Sequence, residues 1–427
     1  MDIEATTARD GSAIVTIDGT PQKITATTLE DARAQVVAIA QERAATAGES
    51  ATLTASDPDG VWTVIVTPDG DLHDPAEAAA AATAAPIYDS PTPRVAGPHT
   101  QAHTPPRAAD SPIAHLPSRR EVQGRHSFLK ATEIEQPATQ GWRGVATRLG
   151  LRMNPSQQER AERDDIHAVS QHWPGPRTII VANGKGGAGK TPTTVLLAAV
   201  FARYGGAGVV AWDANQTRGT LGWRTEQGPH EATVLDLLPQ TERLLGTGAQ
   251  SADLAHYVHH QTADRFDVLR SQPIQLAADQ RVTPHDVDLI WNVVAKYYRL
   301  IFIDTGNDES DPVWLEAIEH ADQIVVPTTT RADHAEAGAL LLDALRGRDQ
   351  HSRQLADNAV AVVTQADPRA SKTDIINIVT GYDELAREVV TIPHDPAIVD
   401  GILQWDSLRP STQRAWLRAA AAVARGL

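Results

Sequence analysis

Apolar residues recur with two different spacings along the chain, and the change of spacing divides it into regions. Within residues 12–72, short runs predict four strands, SAIVTI, QKITAT, SATLTA and GVWTVIVT. Between the second and third, LEDARAQVVAIAQERAA has Ala, Val and Ile at helical spacing. Residues 1–74 are therefore predicted to form a small α+β module. It contains no cluster of catalytic residue types, so we interpret it as a docking module.

From Pro176 to the end, near-continuous apolar runs alternate with helical patterns. The predicted strands are RTIIVAN, GVVAWD, FDVLRS, RLIFID, QIVVPT, AVAVVT and EVVTI. Apolar strands separated by helices are typical of a parallel sheet covered on both faces. Residues 176–427 are thus predicted to form one three-layer α/β/α domain with a mainly parallel sheet. The last helical pattern, STQRAWLRAAAAVARGL, has few large apolar residues, so we expect it to pack on this sheet rather than on a membrane.

Two segments separate these predicted domains. Residues 75–125 are rich in Pro, Ala, Ser, Thr and His, and this composition buries too little apolar surface to offset the entropy of ordering. A disordered linker is therefore predicted there. Residues 126–175 are mildly basic, and we interpret them as a helical lead-in to the next domain. The alternative is that they contact a membrane, a nucleic acid or a partner protein.

Charge and composition exclude several classes of protein. The 427 residues have a formal net charge of −16, which argues against a protein that coats nucleic acid over its whole surface. The absence of cysteine excludes disulfides, thiolate metal sites, iron–sulfur clusters and cysteine nucleophiles. The acidic, polar N-terminus is not a signal peptide, and no apolar run approaches the ~18 residues of a membrane span. A cytoplasmic protein is expected, and peripheral contact with the inner face of the membrane stays open.

One glycine-rich stretch, NGKGGAGKTPTT, follows the first predicted strand of the larger domain. The chain has six lysines, and two of them, Lys185 and Lys190, lie here. The dinucleotide fingerprint G-x-G-x-x-G is met by Gly184, Gly186 and Gly189. In that interpretation Asp213, at the end of the next strand, would bind a ribose.

The same stretch also fits a P-loop, G-x-x-x-x-G-K-[ST], through Gly184, Gly189, Lys190 and Thr191. The Lys-Thr pair favours this interpretation, because Lys190 can offset the charge of the β- and γ-phosphates and the Thr191 hydroxyl can bind Mg²⁺. Pro192 is tolerated in the first turn of the following helix. The predicted nucleotide-binding residues are Gly184, Lys185, Gly186, Gly187, Ala188, Gly189, Lys190, Thr191 and Pro192.

A second motif supports the P-loop. RLIFIDTGND ends a predicted buried strand at Asp304, where a triphosphatase needs an acid that holds Mg²⁺ through water. Thr191 and Asp304 are therefore the predicted metal site.

These motifs together resemble a known family. KGGAGKT, with its lysine at the start of the loop, resembles the deviant Walker A motif of the ParA/MinD superfamily of dimerising ATPases. ADQIVVPTTT and IPHDPAIVDG are also similar to that superfamily, so the resemblance covers residues 176–427. More narrowly, GWRGVATRLGLRMNPSQQERAERDDI, VVAWDANQTRGTLG and IDTGND are similar to actinobacterial MinD-like ATPases linked to type VII (ESX) secretion loci.

The resemblance implies an ATPase that homodimerises when it binds ATP and Mg²⁺, with Lys185 contacting the phosphates bound by the partner subunit. The family pattern Asp-x-Asp corresponds here to Asp213 and Asn215, and its second acid helps to position the attacking water. Because Asn orients water but cannot accept a proton as a carboxylate does, slow hydrolysis is expected. The implied catalytic residues are Lys185, Lys190, Asp213, Asn215 and Asp304.

Three functions remain open on the sequence. The first is a regulatory switch for a secretion apparatus, with a protein partner bound by residues 1–74 or by the lead-in. The second is a partitioning or septum-positioning ATPase whose ATP-bound dimer binds DNA or membrane. The third is a nucleotide-binding scaffold without significant turnover.

Overall fold

The computed structural model describes residues 2–8, 10–17, 19–57, 60–69, 72–73, 135–148, 153–206, 208–215, 219–271, 282–399 and 401–427. It contains two compact units, residues 1–159 and residues 160–427. The predicted linker at 75–125 lies outside the described residues, as does the first part of the predicted lead-in. Within the described residues, no helix has the length and apolar character that crossing a membrane requires.

The first unit is a sheet with one long helix packed on it. Its elements are β1 (Asp2–Thr7), β2 (Ser12–Ile17), β3 (Thr20–Thr25), α1 (Leu29–Ala47), β4 (Ala51–Asp57), β5 (Gly60–Val66), β6 (Leu72–His73) and α2 (Gly141–Arg148). The strand order is β3-β2-β1-β4-β5-β6. Helix α1 begins after Thr28, whose side chain accepts from the Asp31 N–H, and ends at Gly48 with φ of 68°. Its buried residues Val36 and Ala40 share one core with the sheet.

Strand β1 is central in this sheet but was not predicted from the sequence. It pairs parallel with β4 and antiparallel with β2. Its buried side chains alternate along the strand, as Ile3, Ala5 and Thr7, while acidic and polar residues face solvent. One large apolar residue in six positions gives a weak sequence pattern, and pairing with two neighbours supplies the stability that the pattern does not reveal.

The second unit contains the α/β/α layers. Its elements are α3 (Gln157–Val169), which begins in the first unit, β7 (Arg177–Val181), α4 (Lys190–Gly205), β8 (Val209–Asp213), α5 (Val234–Leu237), α6 (Thr241–Leu245), α7 (Ser251–Leu254), β9 (His259–His260), β10 (Asp267–Leu269), α8 (Pro284–Tyr297), β11 (Leu300–Asp304), α9 (Pro312–Glu319), β12 (Gln323–Thr329), α10 (Ala332–Arg348), α11 (Gln350–Asp357), β13 (Val360–Thr364), α12 (Lys372–Asp383), β14 (Glu388–Ile392), α13 (Pro396–Val399) and α14 (Pro410–Ala424).

The sheet order is β14-β13-β12-β7-β11-β8-β10-β9, and every pair is parallel except β10 with β9. Each central strand is buried on both faces: Ile179 and Val181 of β7 pack with α4 and α14, whereas Ile180 packs with α8 to α11. This confirms the predicted three-layer fold with a mainly parallel sheet. Trp416 and Leu417 of α14 are buried in the first of these layers, as expected for a helix that packs on the sheet.

Close packing between α10 and the sheet yields a stability prediction. A Cβ added at Gly338 would lie 2.7 Å from Val326 Cγ1, 3.1 Å from Asn183 Nδ2 and closer still to the Tyr382 hydroxyl. Gly338→Ala should therefore lower the free energy of unfolding by about 1–3 kcal/mol, the usual cost of overpacking. Gly347→Ala in the same helix is the matched control. Nothing lies within 4 Å of its added Cβ, so thermal denaturation should show no loss of stability there.

Candidate nucleotide-binding site

Three adjacent strands end at one edge of the second sheet and bring the candidate residues together. In the register of the sheet, Asp304 at the end of β11 lies between Val181 of β7 and Asp213 of β8. The glycine-rich loop follows β7 directly, and α4 begins at Lys190. Carboxyl ends of parallel strands are where doubly wound folds bind ligands, so this edge is the candidate site.

The loop has a backbone that glycine makes possible. Gly187 and Gly189 have φ of 84° and 95°, a region that other residues rarely adopt. Asn183 is buried and stabilises the loop through two hydrogen bonds. Its Nδ2 donates to Pro327 O at 2.9 Å, and its Oδ1 accepts from Lys185 N at 2.9 Å. Gly184, Gly186, Ala188 and, in the first helical turn, Pro192 complete the predicted cradle.

Lys190 is held inside the loop. Its ammonium donates to Asn183 O at 2.9 Å, Lys185 O at 3.1 Å and Asn307 Oδ1 at 2.5 Å, so its three protons all have acceptors. Burial lowers the pKa of Lys190, and the carboxylates of Asp304 and Glu309 partly offset that effect. A buried cation at the start of a helix is suited to bind an anion such as phosphate.

Thr191 and Asp304 place two oxygen atoms that could bind a metal beside that cation. The Thr191 hydroxyl donates to Asp304 Oδ2 at 2.6 Å and lies 2.9 Å from the Thr220 hydroxyl. Asp304 is 3% exposed, and its Oδ1 has no hydrogen-bond partner among the described residues. A buried carboxylate oxygen with no donor, next to a hydroxyl, fits the hard oxygen ligands that Mg²⁺ prefers.

Asp213 lies next to Asp304 and raises the charge density of the site. Its Oδ1 accepts from Asn215 N at 3.1 Å, and its Oδ2 accepts from Ser271 Oγ at 2.9 Å and from Leu221 N at 3.3 Å. Burial raises the pKa of both carboxyls, and the negative charge of Asp304 raises that of Asp213 further. Two neighbouring buried carboxylates favour a bound cation.

Asn215 follows Asp213 and turns toward the loop after β11. Its Oδ1 lies 3.6 Å from the position that a Cβ on Gly306 would occupy. The structure thus places this amide beside Gly306, in the loop that follows β11.

Lys185 lies at the surface of the site. Its side chain is 51% exposed, and its ammonium lies 3.7 Å from Asp333 Oδ2 at the start of α10. Arg331 binds the same carboxylate and lowers the pKa of Asp333 to about 2. Exposed ion pairs of this kind contribute about 0–1 kcal/mol, so Lys185 is free to move to a stronger anionic partner.

Three neighbours of the loop were not identified from the sequence: Asn307, Glu309 and Asp333. Asn307 accepts from Lys190, and Glu309 Oε1 lies 2.5 Å from the position of a Cβ on Gly184. Asn307 and Glu309 follow Asp304 within five residues, so proximity to that motif was a usable signal. Asp333 lies 148 residues after Lys185 in the chain, and only the fold brings the two together.

Comparison with known proteins finds a family model and two relatives that match parts of the chain. Residues 176–354 match the family model AAA_31, described as an AAA domain. The ESX-1 secretion-associated protein EspI of Mycobacterium tuberculosis, in strains CDC 1551 / Oshkosh and ATCC 25618 / H37Rv, is 27% identical over 299 residues. That match covers 68% of this chain and 42% of the relative, so the chain spans less than half the length of the relatives it matches.

Solved structures of ParA and MinD proteins are similar to the chain. A ParA family ATPase from Chlorobium tepidum TLS is 18% identical with a TM-score of 0.47, covering 58% of this chain and 98% of that protein. The septum site-determining protein MinD from Pyrococcus horikoshii OT3, complexed with Mg-ADP, is 18% identical with a TM-score of 0.43, covering 57% and 94%. The matched AAA domain, residues 176–354, lies within the region for which the sequence predicted a resemblance to ParA/MinD ATPases.

Proposed function

We propose that this chain, whose residues 176–354 match the family model of an AAA domain, is a Mg²⁺-dependent ATPase that homodimerises on ATP and hydrolyses it slowly. The observation that carries this proposal is the convergence of Lys190, Thr191 and Asp304 at the end of the parallel sheet. A buried ammonium, a hydroxyl and a carboxylate oxygen without a donor are the groups that a metal-bound triphosphate requires.

Each residue has a proposed task. Loop N–H groups and the start of α4 would bind the phosphates, and Lys190 would leave its present acceptors to bind the β- and γ-phosphates. Thr191 and, through water, Asp304 would hold Mg²⁺, which neutralises charge developing on the phosphates. Asp213 would hold the Asn215 backbone in place through its Oδ1, and Asn215 would orient the attacking water.

Dimerisation is proposed to depend on Lys185. Its ammonium lies 3.7 Å from Asp333 Oδ2 and its side chain is half exposed, so it can reach an anion outside its own subunit. Two subunits that face each other through bound triphosphates repel unless cations bridge them. Lys185 would supply that bridge by exchanging Asp333 for the phosphates of the partner subunit.

The process that we propose is the regulation or energising of a secretion apparatus, in the cytoplasm and at the inner face of the membrane. The support is the 27% identity to a protein named as secretion-associated. Residues 1–74, or the lead-in at 126–175, would bind the protein partner. In a host cell carrying the chain, replacing Lys190 with alanine should reduce export by the associated apparatus. Unchanged export would favour the alternative roles on DNA or membrane.

The presence of Asn215 in place of a carboxylate gives a prediction for the rate of ATP hydrolysis. With saturating ATP and Mg²⁺, the purified chain should release phosphate slowly, and Asn215→Asp should raise the rate at least about tenfold, because an aligned proton acceptor contributes about 10²–10⁴-fold. Phosphate release measured with and without Mg²⁺ checks both points. ATP binding without any phosphate release would support a scaffold that does not hydrolyse, and fast turnover of the unmodified chain would contradict the role of Asn215.

A further inference from the structure

The loop between β11 and α9, residues 305–311, places a second acid at the nucleotide-binding loop. A Cβ on Gly184 would lie 2.5 Å from Glu309 Oε1 and 3.2 Å from Glu309 Cδ. A side chain at position 184 would therefore displace the Glu309 carboxylate. The Glu309 carboxylate therefore lies against the first glycine of the P-loop, at the end of the loop that is farther from α4 along the chain.

The loop that carries Glu309 also reaches the cation of the site. Two residues before Glu309, Asn307 Oδ1 accepts from the Lys190 ammonium at 2.5 Å. The Glu309 carboxylate and the Lys190 ammonium also interact electrostatically, and each shifts the pKa of the other. Since Lys190 is the residue that would bind the β- and γ-phosphates, Glu309 is an acid on a loop that would lie beside them, whereas Asn215 supplies no carboxylate.

The loop that carries Glu309 is fixed at both ends. Thr305 Oγ1 donates to Val181 O at 3.0 Å, next to the start of the P-loop. Asp308 Oδ1 accepts from Ser310 N at 3.0 Å, and Asp311 Oδ1 accepts from Val313 N at 2.9 Å at the beginning of α9. A carboxylate on an anchored loop is positioned before the substrate arrives, which is what acid–base catalysis requires.

We propose that Glu309 accepts the proton of the attacking water during ATP hydrolysis, while Asn215, which cannot accept a proton, orients that water. The inference rests on the proposed hydrolysis. In that step the water oxygen bonds to the γ-phosphorus, and the bond from the γ-phosphorus to the β–γ bridging oxygen breaks. That oxygen leaves with the electron pair as part of ADP. The proton lost by the water passes to Glu309 and then to solvent.

The half-buried position of Glu309 suits this role. Burial raises the pKa of its carboxyl, and the negative charge of Asp308 adds to the rise, while the Gly184 N–H and Lys190 oppose it. A higher pKa makes a carboxylate a better proton acceptor at neutral pH. The competing role is inhibitory: Glu309 would contact the P-loop in the absence of nucleotide and would have to move away before ATP binds. The two roles predict opposite effects of removing the charge.

The test compares variants of the full chain. The proteins compared are the wild type, Glu309→Gln, Glu309→Asp and the double variant Asn215→Asp/Glu309→Gln. Phosphate release is measured at saturating ATP and Mg²⁺, and affinity is measured with a fluorescent ATP analogue. Glu309→Gln should lower turnover about 100-fold and leave affinity within about twofold, since it removes one proton acceptor. Glu309→Asp should retain part of the rate, and Asn215→Asp should restore turnover to Glu309→Gln by supplying a carboxylate from the other side.

The matched control is Asp308→Asn, in the same loop. Asp308 is exposed and acts as an acceptor for Ser310, which an asparagine oxygen can still do, and its charge is the smallest influence on the pKa of Glu309. Affinity should therefore stay unchanged, and turnover should change far less than in Glu309→Gln. The proposal would be overturned if Glu309→Gln leaves turnover unchanged, if it binds ATP more tightly and turns over faster, or if it loses affinity and rate in parallel. A double variant that is no faster than Glu309→Gln would also overturn it. A wild-type chain that binds ATP but releases no phosphate would overturn the proposed hydrolysis itself, and the role of Glu309 with it.

Discussion

Lys190→Ala is expected to weaken ATP binding by about 30-fold or more. Lys190 is 9% exposed and its ammonium is already surrounded by acceptors, so a triphosphate bound there would have its charge offset by a desolvated cation. Truncating one partner of a buried charged contact costs about 2–5 kcal/mol, which is roughly 30-fold to several thousand-fold in affinity. Equilibrium titration with a fluorescent ATP analogue measures this loss directly.

Lys185→Ala is the matched comparison, since it removes the other lysine of the same loop. The Lys185 side chain is half exposed and pairs with the partly exposed carboxylate of Asp333, so the variant should bind ATP with little change. It should nevertheless remain monomeric with ATP and Mg²⁺, whereas the wild type forms dimers. Sedimentation or light scattering with and without ATP measures the mass. Equal losses of binding in both variants would refute the proposed division of roles between the two lysines.

Asp304→Asn is expected to remove Mg²⁺-dependent turnover while making the nucleotide-free protein more stable. Turnover should fall about 100-fold or more, because a neutral amide replaces the carboxylate that would hold the metal through water. Stability should rise because Asp213 and Asp304 are adjacent, buried and mutually repulsive. For a unit of this size, each 1 kcal/mol gained raises the unfolding midpoint by about 2–4 °C.

Asp213→Asn is the comparison that separates the effect of charge on stability from the effect of hydrogen bonding. Both oxygens of Asp213 accept from donors, whereas Asp304 Oδ1 has no partner among the described residues. An amide at position 213 would place N–H groups against donors, so this variant should lose stability although it also removes a negative charge. Thermal denaturation of both nucleotide-free variants provides the comparison. A stability loss in Asp304→Asn would show that repulsion between the two acids is not a significant cost.

Much of the second unit could be predicted from the sequence. Seven predicted strands correspond to β7, β8 and β10 to β14, because strands buried on both faces leave long apolar runs that glycine and helices interrupt. Short edge pairing was not predictable: β9 is two residues long and pairs with one neighbour. In the first unit, β1 was missed for the related reason that only half of each strand faces the core.

The candidate site divides in the same way. Lys190, Thr191 and Asp304 follow from motifs, since a loop that wraps phosphates needs fixed spacing within a few residues, and an acid at the end of a strand needs only the strand. Glu309 and Asn307 are near Asp304 in sequence, yet their contact with the P-loop depends on β11 pairing beside β7. No local pattern encodes which acid in TGNDES faces the loop.

The sequence by itself determined the class of fold, the phosphate cradle and the two lysines, because backbone geometry and charge at a helix start are local properties. The tertiary structure decided which side chains meet that cradle from elsewhere. It placed Asp333 beside Lys185, and it set Asp213 against Asp304 in the register of neighbouring strands. These contacts join residues far apart in the chain, and their distances depend on the order and register of the strands, which no short stretch of sequence specifies.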